Sequence, residues 1–255
     1  MGKHLSRLVF PLLGAAIIVL LWHYYVVLLR VPVVVLPTPM QVLDTMVREA
    51  RILWEEAWIT ALECIYGFAL AMGIGIPIAV TVTYSRIANL MFYPLVVASQ
   101  SIPKVAVAPI LLVWFGTGLQ SKLAMAFVIA FFPVVVDTAT GLRSTSPELL
   151  ELARSLQCSR LQTFFKIQLP SALPSIFSGA KIAVTLAVIG AVIGEFIGSN
   201  EGLGNLLLTA NSQLNTPLVW ASLVVLSILG MLLYGAVVLA EKILMPWAPE
   251  AEQKH

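Results

Sequence analysis

The chain has 255 residues, is 59% hydrophobic and only 11% charged, and has a mean hydropathy of +0.94. Ordinary soluble domains carry about 25% charged residues, so the composition excludes one and points to an all-α polytopic membrane protein. The net charge of +2 says little as a sum, because in such proteins the placement of Lys and Arg carries the information, and no nucleic-acid partner is expected.

Residues 8–29 form an apolar run of about the ~20 residues that cross a bilayer. A cleaved leader would need a shorter apolar core and a small-x-small site, which Leu29-Arg30-Val31-Pro32 is not, so the run is read as an uncleaved first span. From Pro32 to Trp58 the sequence is mixed. A helix from Pro39 places Val42, Met46, Ala50 and Leu53 on one side and Asp44, Arg48, Glu49 and Arg51 on the others, the pattern of a helix lying at a membrane surface. A second span is expected over 58–83, with Glu63 near its start and Gly67, Gly73, Gly75 and Pro77 along it. Small residues let helices approach closely in lipid, which favours a central position.

A short turn at 84–86 leads to a third span over 88–115 that contains Pro94, Pro103 and Pro109, with Lys104 near its middle. Three prolines predict a kinked or broken helix, tolerable in a membrane only where freed carbonyls face protein or a water-filled cavity. A lysine at that depth costs at least about 2.5 kcal/mol unless it faces such a cavity or a partner. Two readings follow: Lys104 lines a solute pathway, or it snorkels or pairs with a carboxylate to fix the bundle. Residues 116–122 are read as a turn and 123–140 as a fourth span ending near Asp137. A fifth span, over 176–197, is rich in Gly and Ala and closes on Glu195, followed by the loop Ser199 to Gly204. Thr216-Pro217 reads as cap and first position of a sixth span reaching Glu241, and Trp247 suits an interfacial anchor.

Between the fourth and fifth spans lies the polar stretch Ser146 to Pro170. Ser146 can cap a helix that begins at Pro147, and Glu148 then sits in the first turn against the positive end of the helix dipole. Leu149, Leu152, Ala153 and Leu156 recur at i, i+3, i+4 and i+7 as one apolar stripe, while Glu148, Glu151, Arg154 and Ser155 take the other faces. Such a helix seeks a groove. A turn is expected over 157–159, then a second short helix over 160–167, stopped at Leu169-Pro170 and again at Leu173-Pro174.

Six spans place both termini on one side. Lys3, Arg7, Arg86, Arg143, Arg154, Arg160, Lys166, Lys181 and Lys242 then fall on or near that side, against Arg30, Arg48, Arg51 and Lys122 opposite, so the richer side is expected to be cytoplasmic. Cys64 and Cys158 lie in different environments and are not read as a disulfide. His4, His23 and His255 make no ligand spacing, so no metal site is expected. No G-x-x-x-x-G-K-[S/T] occurs, so this chain lacks a phosphate-cradling P-loop. No nucleophile and base share a depth, and Glu55-Glu56 are read as solvated. An enzyme is not expected.

Glu151-Leu152-Ala153, Gln157 six positions after the glutamate, and Ile167-Gln168-Leu169-Pro170 resemble the E-A-A, three residues, G, nine residues, I-x-L-P loop of binding-protein-dependent ABC importer permeases. Leu152 stands where that pattern usually has Ala, and Gln157 where it has Gly. If position 157 is left-handed, a non-Gly residue there costs on the order of 1 kcal/mol. Leu36-Pro37-Thr38-Pro39, Ile102-Pro103-Lys104 through Pro109, Trp114-Phe115-Gly116, and Glu195 with Gly202-Leu203-Gly204 extend the similarity over nearly the whole chain, toward the nitrate, sulfonate, taurine and thiamine-precursor branch.

The resemblance implies the fold of an ABC type I importer permease. Its parts would be a first span and interfacial helix (1–56), a permease core (57–242) with its coupling loop at 141–175, and a cytoplasmic tail (243–255). It implies ABC ATPase subunits that bind ATP and Mg, a second permease copy, an extracytoplasmic solute-binding protein, and a place in a bacterial inner membrane. It assigns ATPase coupling to Glu148, Glu151, Leu152, Ala153, Arg154, Leu156 and Gln157. The translocation pathway is expected at Pro103, Lys104, Pro109 and Glu195, with Glu195 near the outer gate; the bland reading of Glu195 is that it reaches interfacial water. Lys104 favours an anionic or polar, heteroatom-rich solute. The competing class is an ion-coupled secondary carrier, which usually shows internal repeats and polar coupling-ion groups at mid-membrane. The last three spans do not repeat the first three.

Overall fold

The computed structural model describes residues 2–99 and 101–247, with the backbone alone for residues 2–8 and 93. The side chains of Lys3, His4 and Arg7, and the tail from 248 to 255, lie outside the described residues. All regular structure described is helical. Five helices are long and apolar enough to cross a membrane: Val9–Leu28 within α1 (Gly2–Leu28), α3 (Ala50–Tyr84), α6 (Leu119–Arg143), the run Arg160–Gly198 that ends in α9 (Leu169–Gly198), and α11 (Thr216–Leu244). A sixth span results when α4 (Arg86–Ser99) and the segment Lys104–Phe115, which ends in α5 (Ala108–Phe115), are taken as one span bent by 96°. The chain is a multi-pass membrane protein.

The helix α2, expected to lie at the membrane surface, is Pro39–Arg48, shorter than the sequence pattern predicts. Thr38 starts it: its hydroxyl accepts from the Gln41 N–H at 3.3 Å, and the Gln41 side chain accepts from the Thr38 N–H at 2.8 Å. Glu49 breaks the helical path, with φ −100° and ψ 17°, and α3 then begins at Ala50 rather than Trp58. Val42 and Leu53 are buried together with Leu203 and Ala221, with Met46 beside them. Ala50, on the far side of the break, is exposed.

α6 and α9 form the centre and α3 flanks them. In α6 and in the span ending in α9, 44% of the apolar window is buried, against 6% in α1 and in α11. The close approach depends on missing side chains. A Cβ on Gly190 would lie 2.6 Å from Ala126 Cα and 2.9 Å from the Met125 carbonyl, and Gly67 presses on Ala126 from α3. Ala71, Ala130, Val134, Ala183 and Ala187 continue this seam, filled by Phe68, Phe127 and Phe131. The peripheral α1 is held through Trp22, whose ring meets that of Trp220 of α11 at 4.9 Å with a tilt of 37°.

The polar stretch also departs from expectation. After α7 (Pro147–Ser155) and α8 (Arg160–Thr163), the chain makes a π-turn at Phe164–Gln168 and runs straight on into α9. Pro170 does not stop it. The Leu169 N–H bonds to the Phe164 carbonyl across the wide turn, and Pro170 sits in the first turn beyond, where its missing N–H costs little. The 199–204 loop leads into a further helix, α10 (Leu203–Ser212), that the sequence pattern does not predict. Asn215, not Thr216, caps α11: its side chain accepts from the Leu218 N–H at 3.4 Å.

Candidate functional site

The helix α7 is built as its sequence dictates. The Ser146 hydroxyl accepts from the Leu149 N–H at 3.3 Å, and Pro147 opens the first turn. Its end is a Schellman motif: the Gln157 N–H bonds to the Arg154 carbonyl and the Cys158 N–H to the Ala153 carbonyl, both at 3.0 Å, and Gln157 is left-handed with φ 52°. The conformation is the one a glycine adopts most easily. Of the apolar stripe only Ala153 is buried, at 1% exposure; Leu149, Leu152 and Leu156 are 42%, 53% and 68% exposed. Glu148, Glu151, Arg154 and Gln157 are exposed around them. One alanine therefore seats the helix, Leu152 and Leu156 stay exposed, and Leu149 borders the body. The loop is anchored at its base, where the Tyr84 hydroxyl donates to Gln168 and the Tyr84 ring meets Phe164 edge-on at 5.8 Å. Trp247 lines a cavity of about 260 Å³ with Leu149, Lys166 and Pro170, so the end of α11 lies beside α7.

The third span breaks where its prolines predict. Pro103 precedes a single 3₁₀ turn, Lys104–Val107, and Pro109 falls at the start of α5, where it forfeits no hydrogen bond. Lys104 is half-buried, with its ammonium 5.0 Å from the centroid of the Phe132 ring on α6. Among the described residues it forms no ion pair, so the carboxylate partner weighed from the sequence is replaced by an aromatic face. An apolar cavity of about 450 Å³ runs alongside, lined by Phe92, Leu95, Ser99, Phe131 and Phe132. Pro103 and Pro109 are exposed.

Glu195 is placed differently from expectation. It is 1% exposed, and its carboxylate is enclosed rather than open to a pathway. Oε1 accepts from the Thr60 hydroxyl at 2.6 Å and Oε2 from the Gly204 N–H at 2.5 Å, while the Thr60 oxygen accepts from the Leu203 N–H at 2.9 Å. Glu56, read from the sequence as solvated, accepts from the Gly202 N–H. Gly202, with φ 100°, lies against the Glu195 carboxylate where a Cβ would collide. Nearby, Lys122 Nζ lies 2.5 Å from Glu63 Oε1, at side-chain exposures of 5% and 0%. The sequence reading put Lys122 in an outer turn; α6 starts at Leu119, so Lys122 is inside the helix and buried. The signal that reveals the cluster is the spacing Glu56, Thr60, Glu63, at i, i+4 and i+7 on an otherwise apolar helix.

These features have different uses. The Glu195 and Lys122 groups tie α3, α6, α9 and the 199–204 loop to one another inside the subunit. Leu152 and Leu156 of α7 are left exposed on the surface of the subunit.

Residues 71–246 match the family of binding-protein-dependent transport system inner membrane components, and the chain belongs to that family. It is 37% identical to a probable ABC transporter permease protein of Haemophilus influenzae, over 91% of this chain and 94% of that protein. It is 36% identical to the formylaminopyrimidine transport permease protein ThiX of Halalkalibacterium halodurans, over 93% and 95% of the two chains. Its fold resembles an inward-facing structure of the MetNI methionine ABC transporter, with a TM-score of 0.60 and 26% identity, covering 78% of this chain and 97% of that one. The chain is thus a membrane-spanning ABC importer permease of type I fold, and its role is transport.

Proposed function

We propose that two copies of this chain form the membrane channel of an ATP-driven importer. Separate ATPase subunits bind ATP and Mg, and an extracytoplasmic binding protein delivers the solute. In this arrangement α7 inserts its leucines into a groove on each ATPase, and nucleotide-driven closure moves α7 and, through the π-turn, the continuous helix α9. The α7 end and both termini are then cytoplasmic, and the membrane is a bacterial inner membrane. The division into a first span with interfacial helix, a core at 57–242 and a tail follows the same scheme. The observation that carries the proposal is the exposed leucine face of a helix held rigid by a serine cap, a Schellman turn and a buried Ala153. An unpartnered apolar face of this kind is the half of a helix-in-groove contact.

The solute in this proposal is small, polar and rich in heteroatoms, anionic or planar. Support comes from Lys104 over Phe132 beside a cavity walled by phenylalanines, and from the formylaminopyrimidine carried by the ThiX relative. The test is to isolate the tagged full chain from its native membrane, identify the chains that accompany it and reconstitute them. A nucleotide-binding chain and ATP-dependent uptake are expected. Uptake driven by an ion gradient, with no ATPase chain present, would instead make this an ion-coupled carrier.

A further inference from the structure

Because α6 runs unbroken from Leu119 to Arg143, Asp137 lies inside the span, about 9 Å from its end at ~1.5 Å per residue. An aspartate side chain cannot reach that far. Asp137 is half-buried and, among the described residues, has neither an ion pair nor a hydrogen bond. Gly179 of α9 makes room for it: a Cβ there would lie 2.8 Å from Asp137 Cβ and 3.2 Å from Oδ2. The carboxylate therefore lies across α9 rather than away from the bundle. In a membrane span an ionisable side chain faces a partner or a water-filled cavity, since lipid solvates it poorly. With no partner among the described residues, Asp137 faces water.

The surface beside it suits a wet path. α9 packs along Gly179, Ala183 and Ala187, yet on its other side Pro174, Ser178, Ile182, Thr185 and Ile189 are exposed at spacings of three and four, a single stripe. Ile182, one turn beyond Gly179, brings the edge of this stripe beside Asp137. The Ser178 hydroxyl has no partner among the described residues, and the Thr185 hydroxyl is held 3.0 Å from the Lys181 carbonyl. By contrast, the peripheral α1 exposes Phe10, Leu13, Ile17 and Leu21, a surface that lipid covers. Lys104 Nζ stands over Phe132, about 7.5 Å along α6 from Asp137, so a cation and a carboxylate lie at separate depths. We propose that Asp137 is a specificity-determining residue of the solute path, its carboxylate accepting hydrogen bonds from an amine or other N–H group of the solute as it passes the Ser178 to Thr185 stripe. This rests on the reading of the chain as half of a membrane channel. It narrows the solute to one that carries an N–H donor as well as an acceptor for Lys104.

The test reads charge at this surface with two small thiol reagents, the cationic trimethylammonioethyl and the anionic sulfonatoethyl methanethiosulfonates. Ser178→Cys is placed in the full chain in its native membrane, at mildly alkaline pH, with and without ATP. Cys158→Ser removes the accessible native thiol, and Cys64 is buried. Both reagents should react at Ser178→Cys. Adding Asp137→Asn should lower the ratio of cationic to anionic rate roughly three- to ten-fold, the scale of one carboxylate acting across several ångströms of water, and Asp137→Glu should keep the ratio. Should Asp137→Asn not reach the membrane, Thr185→Cys with Asp137 intact decides: about 10 Å farther along α9, it should show a smaller cation preference than Ser178→Cys. A Ser178→Cys thiol that reacts in neither condition, a ratio that Asp137→Asn leaves unchanged, or an equal preference at Thr185→Cys would overturn the proposal. The reagents need neither ATP nor ATPase chains, so a failure here and a failure of ATP-driven uptake are told apart.

Discussion

The two ends of α6 carry opposite kinds of polar structure. At Lys122 every charged and hydroxyl group of the Glu63, Glu195 and Thr60 cluster is buried and spent inside the subunit. At Arg143, about 30 Å away at ~1.5 Å per residue, the chain leaves the bundle and presents α7, whose charges are solvated and whose leucines face outward. The first arrangement fixes helices against one another and gains nothing from a partner chain. The second is stable as a helix but incomplete as a surface. An ion pair in a membrane helix thus marks internal scaffolding here, while the hydrophobic residues of the polar loop stay exposed. Stability and coupling should separate cleanly between the two ends.

The largest effect is expected from Lys122→Met, which strands the Glu63 carboxylate in the bundle. Breaking a buried pair on one side costs roughly 3–5 kcal/mol, visible as a large fall in Tm of the solubilised chain. Adding Glu63→Leu should restore most of it. Next is Thr60→Val, which removes the donor to Glu195 and the acceptor for the Leu203 N–H at once, leaving buried groups unsatisfied at about 1–3 kcal/mol. Protease access to the 199–204 loop should rise in parallel. At the other end, Gln157→Gly relieves a left-handed residue and should stabilise by up to about 1 kcal/mol, with uptake unchanged; a strong loss of uptake would mean that the Gln157 side chain makes a contact of its own. The smallest stability change belongs to Leu152→Asp, within about 0.5 kcal/mol for an exposed position. Ala153→Asp is a poorer probe because Ala153 is buried and its substitution tests packing as well.

The structure of the α7 end was almost wholly legible in the sequence. A serine cap, a proline at the first position and an i, i+3, i+4, i+7 stripe are local signals, and local hydrogen bonds satisfy them. The handedness at Gln157 was legible only through resemblance, since glutamine itself has no preference for positive φ. The scaffold end was read poorly. Lys122 follows Gly116 and Gly118, and a charge beside turn glycines looks solvated; only the Glu63 across the bundle makes burial tolerable. The stop predicted at Pro170 failed because a π-turn has no residue signature and places the proline where no N–H is required. The helix α10 was hidden because its polar residues resemble a loop, and its first amide groups are satisfied by Glu195 and Thr60 from distant positions.

The central claim is that the leucine face of α7 transmits the work of ATP hydrolysis to the bundle. Its most direct test is solute-stimulated ATPase activity of Leu152→Asp in the reconstituted assembly, beside a Tm measurement on the same preparation. The account predicts a native Tm together with loss of stimulation by the loaded binding protein. Full stimulation in a correctly folded Leu152→Asp variant would contradict it.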